Sequence, residues 1–252
     1  MSKRIINKAF SIGGKGFRRK AFSLAEILIA VVIIGIVAAM VLPMITRNYR
    51  YYVLQQQFKH AYALLDITVM ATQIEMGEYV ECFYEPTLQR NHCSYFFSEL
   101  MKQLQTSTVC ETNAIGLCLD KSFRGGEEAY AETQGGNDYY AAKEYFKTSC
   151  SGLATDAFHE RAAVYVADSG FIVVPYITKT GNQHSPLIML DANGQKGPNK
   201  WGYDIMVFEF SKMKEKDSVF LMTPSTKCHP LDKGGVYTTT FVERLYGPIT
   251  NY

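Results

Sequence analysis

The chain has 252 residues, enough for one or two domains and a sizeable core. At 47% hydrophobic and 20% charged residues, it is neither disordered nor collagen-like, and as a whole it is not a polytopic membrane protein. Seven of the 26 basic residues and no acid lie in residues 1–21, so the net charge of +2 conceals a basic head on a body of net charge −5. That balance disfavours a nucleic-acid-binding body.

The head ends at Lys20 and an apolar run follows. From Ile27 to Ile45 nineteen residues carry no charged or polar side chain, which meets the length of a membrane span. The positive head then stays cytoplasmic and residues after 45 face the other side. A buried helix of a soluble protein is the alternative. It is disfavoured because few other segments are apolar enough to wrap a helix that is apolar all round. The run also exceeds the apolar core of about 7–15 residues found in a secretory signal. Glu26, near its start, reads either as an interfacial carboxylate that reaches water or as a charge awaiting a partner.

Lys20-Ala21-Phe22-Ser23-Leu24-Ala25-Glu26 with its apolar continuation resembles the N-terminus of type IV prepilins and type II secretion pseudopilins. The resemblance implies cleavage between Ala21 and Phe22 by a prepilin peptidase on the cytoplasmic side, and N-methylation of Phe22. It makes Glu26 the acid at the fifth mature position, used in assembly. Gly35 and Pro43 stand where many pilins carry a helix-loosening glycine and a kinking proline. The chain departs from the family at Ala21, where glycine is usual. Residues 1–21 form a long basic leader containing Gly13-Gly14-Lys15-Gly16.

Beyond the span, Tyr51, Leu54, Phe58, Ala61, Leu65 and Val69 recur at three- and four-residue spacing. No Gly or Pro interrupts 44–76, and Gly77 is the first stop. The pattern predicts one helix over 22–76, transmembrane over 22–45 and bent near Pro43. Its second half is amphipathic and needs a domain to cover its stripe.

Residues 77–160 read as an irregular cysteine-containing region, with short helices at Tyr95–Gln105 and Asn137–Thr148. From 161 to 252 the pattern is an antiparallel sheet region. Its strands fall at 162–167, 170–177, 186–190, 203–210 and 219–222, with a further candidate at 236–244. The fold class is α+β, a long helix packed on a C-terminal antiparallel sheet, as the pilin resemblance also implies.

The six cysteines form an even set without a CxxC pair. In a non-cytoplasmic domain they are expected to form three bridges. Short loop closures favour Cys82–Cys93 and Cys110–Cys118, leaving Cys150–Cys228 to tie the loop region to the end of the sheet.

The five histidines include no HExxH, and no GxSxG, Walker A or GxGxxG motif is present. The sequence therefore reads as a non-enzyme. Tyr49, Tyr51 and Tyr52 suit an interfacial aromatic belt. Tyr139-Tyr140 and Tyr145-Phe146 read as packing residues rather than ligand contacts. The turn from 191 to 204 gathers Asp191, Asn193, Asn199 and Asp204 as a candidate calcium site. Some pseudopilins resembling this chain bind calcium near their C-terminal end. A plain turn of Asx and Gly residues is the competing and preferred reading. No other cofactor is expected.

The resulting function is structural: a pilin or pseudopilin held in the inner membrane and then drawn into a type IV pilus or secretion filament. Its partners are the prepilin peptidase and methyltransferase and other pilin subunits, with no nucleic acid. A minor tip subunit with an adhesin-like binding domain is the alternative.

Overall fold

A computed structural model describes residues 23–77, 84–85, 90–91, 93–160, 162–180, 183–213, 216–226 and 228–247. The chain divides between Tyr49 and Arg50 into two compact units. Helix α1, Leu24–Met76, starts in the first and ends in the second. Among the described residues of the first unit, α1 is the whole of the regular structure, and its large apolar side chains are exposed.

In the second unit, α1 buries Phe58, Ala61, Leu65 and Val69 along one face, with Thr72 in line. The spacing of three or four residues predicted this stripe. The hydroxyls of Thr68 and Thr72 bond back to Leu64 O and Thr68 O one turn earlier, so they enter the packed face without an unpaired donor.

The two-residue strands β1, Tyr84–Glu85, and β2, Arg90–Asn91, pair antiparallel. After them come α2, Cys93–Gln103, and strand β3, Thr106–Cys110. Residues 77–160 were expected to be largely loops. Helix α2 and a later helix at Tyr139–Ser149 meet the two helices expected at 95–105 and 137–148, and the region also contains unexpected helices: α3, Gly126–Gln134, precedes that later helix, α4, and a 3-10 turn at Ser151–Leu153 and α5, Thr155–Glu160, follow it. The Gly125-Gly126 pair opens a helix where the sequence suggested a loop. A Cβ on Gly126 would sit 2.8 Å from Phe146 Cζ and 2.9 Å from Pro230 Cγ, so glycine permits the close approach of α3 to its neighbours. Asp138 caps α4 by accepting the Ala141 N–H at 3.0 Å. Glu127, buried, accepts the Thr155 N–H at the start of α5, 3.1 Å from each carboxylate oxygen.

Strands β4, Val164–Ala167, β5, Ile172–Thr180, β6, Gln183–Asp191, β7, Ile205–Met213, and β8, Lys216–Pro224, complete a six-stranded antiparallel sheet in the order β3-β4-β5-β6-β7-β8. The fold is α+β, a long N-terminal helix followed by an antiparallel sheet, as the sequence implied.

The sheet is covered on both faces. Val173, Ile188, Leu190, Met206 and Phe208 point into the core shared with α1. Their alternates Val174, Leu187, Met189, Ile205 and Val207 point into a second core with Phe146, Leu153, Phe158 and Trp201. Here α1 and α3–α5 take opposite faces, and the central strands read as nearly continuous apolar runs.

The strand proposed at 236–244 is instead helix α6, Thr238–Tyr246. Phe241, Val242 and Leu245 form one helical face against the α1 core, while Glu243 and Arg244 are exposed. The Phe241 ring meets Phe58 edge-on at 4.9 Å. The β-branched run Thr238-Thr239-Thr240 favoured a strand by propensity, and packing against α1 overrides it.

Candidate functional site

Ala21 and Phe22, the proposed processing and methylation positions, lie outside the described residues. The first described residues supply a feature that the sequence reading missed. Ser23 N–H donates to Glu26 Oε2 at 2.8 Å, and Glu26 N–H donates to Ser23 Oγ at 3.2 Å. This is a reciprocal capping box, satisfying two of the donors that a helix start leaves open. The Ser-x-x-Glu spacing just before an apolar run is its sequence signal.

Among the described residues, α1 is the one helix long and apolar enough to cross a membrane. Gly35 has open space where a Cβ would stand. Pro43 lies inside α1 and does not end it. The Thr46 hydroxyl bonds back one turn, donating to Leu42 O at 2.9 Å and Pro43 O at 3.1 Å.

The turn between β6 and β7 brings part of the candidate calcium set together. Asp191 Oδ1 accepts the N–H groups of Asn193 at 3.2 Å and Gly194 at 3.0 Å. Asp204 accepts Asn199 N–H and Lys200 N–H, each at 2.8 Å. Gly194, at φ +64°, passes so close to Gly170 that a Cβ would lie 2.2 Å from its carbonyl oxygen. Burial, and then the charge of Asp204, push the Asp191 carboxyl well above the ordinary range. Burial also raises Asp204, against the lowering effect of its N–H partners.

The Asn193 amide donates to Gly197 O at 3.1 Å, while its buried Oδ1 has no partner among the described residues. Three of the four predicted residues thus bring buried oxygen acceptors to one turn. Asn199 gives its backbone N–H to Asp204. Two mutually repelling carboxylates and an orphaned amide oxygen fit a hard cation, although local N–H groups already occupy both carboxylates. Among the described residues no group of three or more His, Cys, Asp or Glu side chains is placed to hold a metal. Asn193 also borders a cleft of about 400 Å³ that reaches Gln57 and His60 of α1.

Cys110 and Cys118 pair at 2.08 Å between sulfurs, and Cys150 and Cys228 at 2.07 Å. The second pair ties the end of α4 to the segment after β8. The Cys82–Cys93 pairing falls outside the described side chains. Trp201 stitches the same region together. Its indole N–H donates to Arg124 O at 2.9 Å, and its backbone N–H donates to Asp232 at 2.8 Å. The Arg124 guanidinium bridges Asp232 at 2.6 Å and Glu132 at 2.8 Å.

Residues 16–42 match the family described as the prokaryotic N-terminal methylation motif, the signal motif of type IV pilins and pseudopilins. The matched segment contains Ala21, Phe22, Glu26 and Gly35, and it ends one residue before Pro43. No curated protein and no solved structure matches the chain. The motif and the apolar helix together fit anchoring in an inner membrane and processing by a prepilin peptidase.

Proposed function

We propose that this protein is a filament subunit, a pilin or pseudopilin, inserted in the inner membrane and assembled through α1. The methylation motif over 16–42 carries the reading. The exposed apolar first half of α1 and the folded unit around its second half support it, because one part suits lipid or a filament core and the other a surface domain.

Cleavage after Ala21 releases the Phe22 amine, which is then methylated. The basic leader stays cytoplasmic and the disulfide-bonded unit lies on the other side. Glu26 pairs with the Phe22 amine of a neighbouring subunit, so processing and assembly are coupled. A carboxylate entering an apolar filament core needs such a partner. Subunits repeat head to tail without closure, and a filament results. Gly35 and Pro43 let the helix adjust during entry. Asp191, Asn193, Asn199 and Asp204 would be the residues to hold a calcium ion, which would neutralise the two buried carboxylates of the turn.

The helical layer α3–α5 favours a second reading, a minor tip subunit with a binding surface, because it displays side chains on the face of the sheet opposite α1. Relative abundance in sheared filaments separates the two roles.

Mass spectrometry of the membrane form tests the main reading. The expected product begins at methylated Phe22 and has 231 residues. Ala21→Leu blocks its formation by bulk. Full-length chain persisting beside an active peptidase overturns the proposal.

A further inference from the structure

Helix α4 leaves large side chains uncovered. Tyr140 is 82% exposed and Tyr145 61%, whereas neighbouring Phe146 is buried. The sequence reading of these aromatics as packing residues therefore holds for Phe146 and fails for Tyr140 and Tyr145. Tyr139 braces the Tyr140 ring edge-on at 5.5 Å. Glu144 lies one turn further along the same face and is exposed, and Lys147 follows it three residues on. Among the described residues neither charge has an ion-pair partner.

The cleft beside Asn193 has the complementary character. It opens between α1, the turn before β5 and the turn after β6, and its volume of about 400 Å³ lies in the range that accepts a small organic group. Buried Phe171, Ile172 and Ala192 give it an apolar floor, and Gln57, His60 and Lys196 stand at its rim. Lys196 is exposed and has no ion-pair partner among the described residues. No carboxylate lines the cleft. Asp168 belongs to the turn before β5 without lining the cleft, and it too is exposed and unpaired among the described residues.

An apolar floor with a cation at the rim suits an aromatic ring that carries an acid beside it. Helix α4 presents that combination four residues apart, with Tyr140 for the floor and Glu144 for Lys196. Lys147 complements Asp168 in the same sense. Opposite charges facing each other fix register, and like charges there would oppose the contact.

The two surfaces cannot meet within one copy, because α1 borders the cleft on one face of the sheet and α4 packs on the other. Every copy carries both. Joining the knob of one to the cleft of the next is a heterologous contact, which repeats without closing.

We propose that the Tyr140–Glu144 knob of α4 docks into the Gln57–His60–Lys196 cleft of a second copy of this chain. This rests on the filament reading, which requires a contact that repeats head to tail.

The test places the photo-crosslinking residue p-benzoylphenylalanine at position 140 of the full chain, in cells that also make the prepilin peptidase. Irradiation is expected to give a crosslinked dimer whose joined peptide includes Phe171, Ile172 or residues 192–196. Lys196→Glu and Glu144→Lys each lower its yield about tenfold, and combining them restores it to within about threefold of the parent. Both residues are exposed, and unchanged thermal midpoints show that the variants fold. Absence of the dimer overturns the proposal, as does a crosslink to another part of the chain or to a different protein. Equal yields from the parent and both single variants also overturn it. Sheared filaments are counted from the same cells. A crosslink without filaments keeps the contact and removes the filament reading, while filaments without the crosslink do the reverse.

Discussion

Ser23 and Glu26 bond to each other in both directions at the start of α1, each side chain accepting the other's backbone N–H. The acid to which the proposed function gives a role in assembly therefore also caps its own helix. Before the proposed assembly it would have a local partner and a closed first turn. The proposed handover of this carboxylate to a neighbouring amine would then exchange one hydrogen-bond donor for a charged one.

Two substitutions separate the cap from the charge. Glu26→Gln keeps an oxygen that accepts the Ser23 N–H but removes the negative charge. It is expected to insert and be cleaved normally while filament entry is lost. Glu26→Ala loses both functions and should match the glutamine variant in assembly. Counting subunits in sheared filaments against membrane-held protein checks this. Normal assembly by Glu26→Gln would leave Glu26 with a capping role alone.

The two mapped bridges differ in the length of chain they close, with sequence separations of 8 for Cys110–Cys118 and 78 for Cys150–Cys228. Loop-closure entropy makes the longer one the stronger restraint. Replacing Cys150 and Cys228 together by Ala is expected to cost about 2–4 kcal/mol. Replacing Cys110 and Cys118 costs less. Urea midpoints of the two double variants decide the order, and non-reducing peptide mapping verifies the pairs.

Asp191 and Asp204 are expected to make stability depend on pH, and the proposed calcium site is expected to make it depend on calcium. Their folded pKa values are raised above the ordinary value near 3.8. The folded state thus holds more protons than the unfolded chain between 3.8 and the raised values. Without a cation, stability falls as pH rises through that window and stays lower above it. Calcium bound to the ionised pair would offset this loss at neutral pH. Calcium at one hundred times its dissociation constant adds about 2.7 kcal/mol. Thermal unfolding of the full chain at pH 7 with calcium and with chelator reads the difference. Asp191→Asn should abolish the calcium shift and leave the calcium-free protein no less stable. A midpoint that millimolar calcium leaves unmoved would reduce the site to a turn.

The sequence by itself determined the parts of the protein that local pattern encodes. Nineteen uncharged apolar residues marked the span, three- and four-residue spacing marked the buried stripe from Phe58 to Val69, and short apolar runs between turn residues marked the five strands β4 to β8. The motif around Phe22 and Glu26 was legible for the same reason, since its residues are adjacent. The Ser23 cap had a signal of equal strength in the Ser-x-x-Glu spacing and was overlooked.

Only tertiary structure decided the rest. Residues 238–246 became a helix because α1 and β7 offer Phe241 and Val242 an apolar face, and the contact outweighs the propensity of three threonines. The second face of the sheet acquired α3–α5 because glycines at 125 and 126 allow a close approach that reads locally as a loop. The turn that gathers Asp191 and Asp204 was legible in the sequence, but the burial that raises both carboxyls is set by folding and leaves no trace in residue spacing.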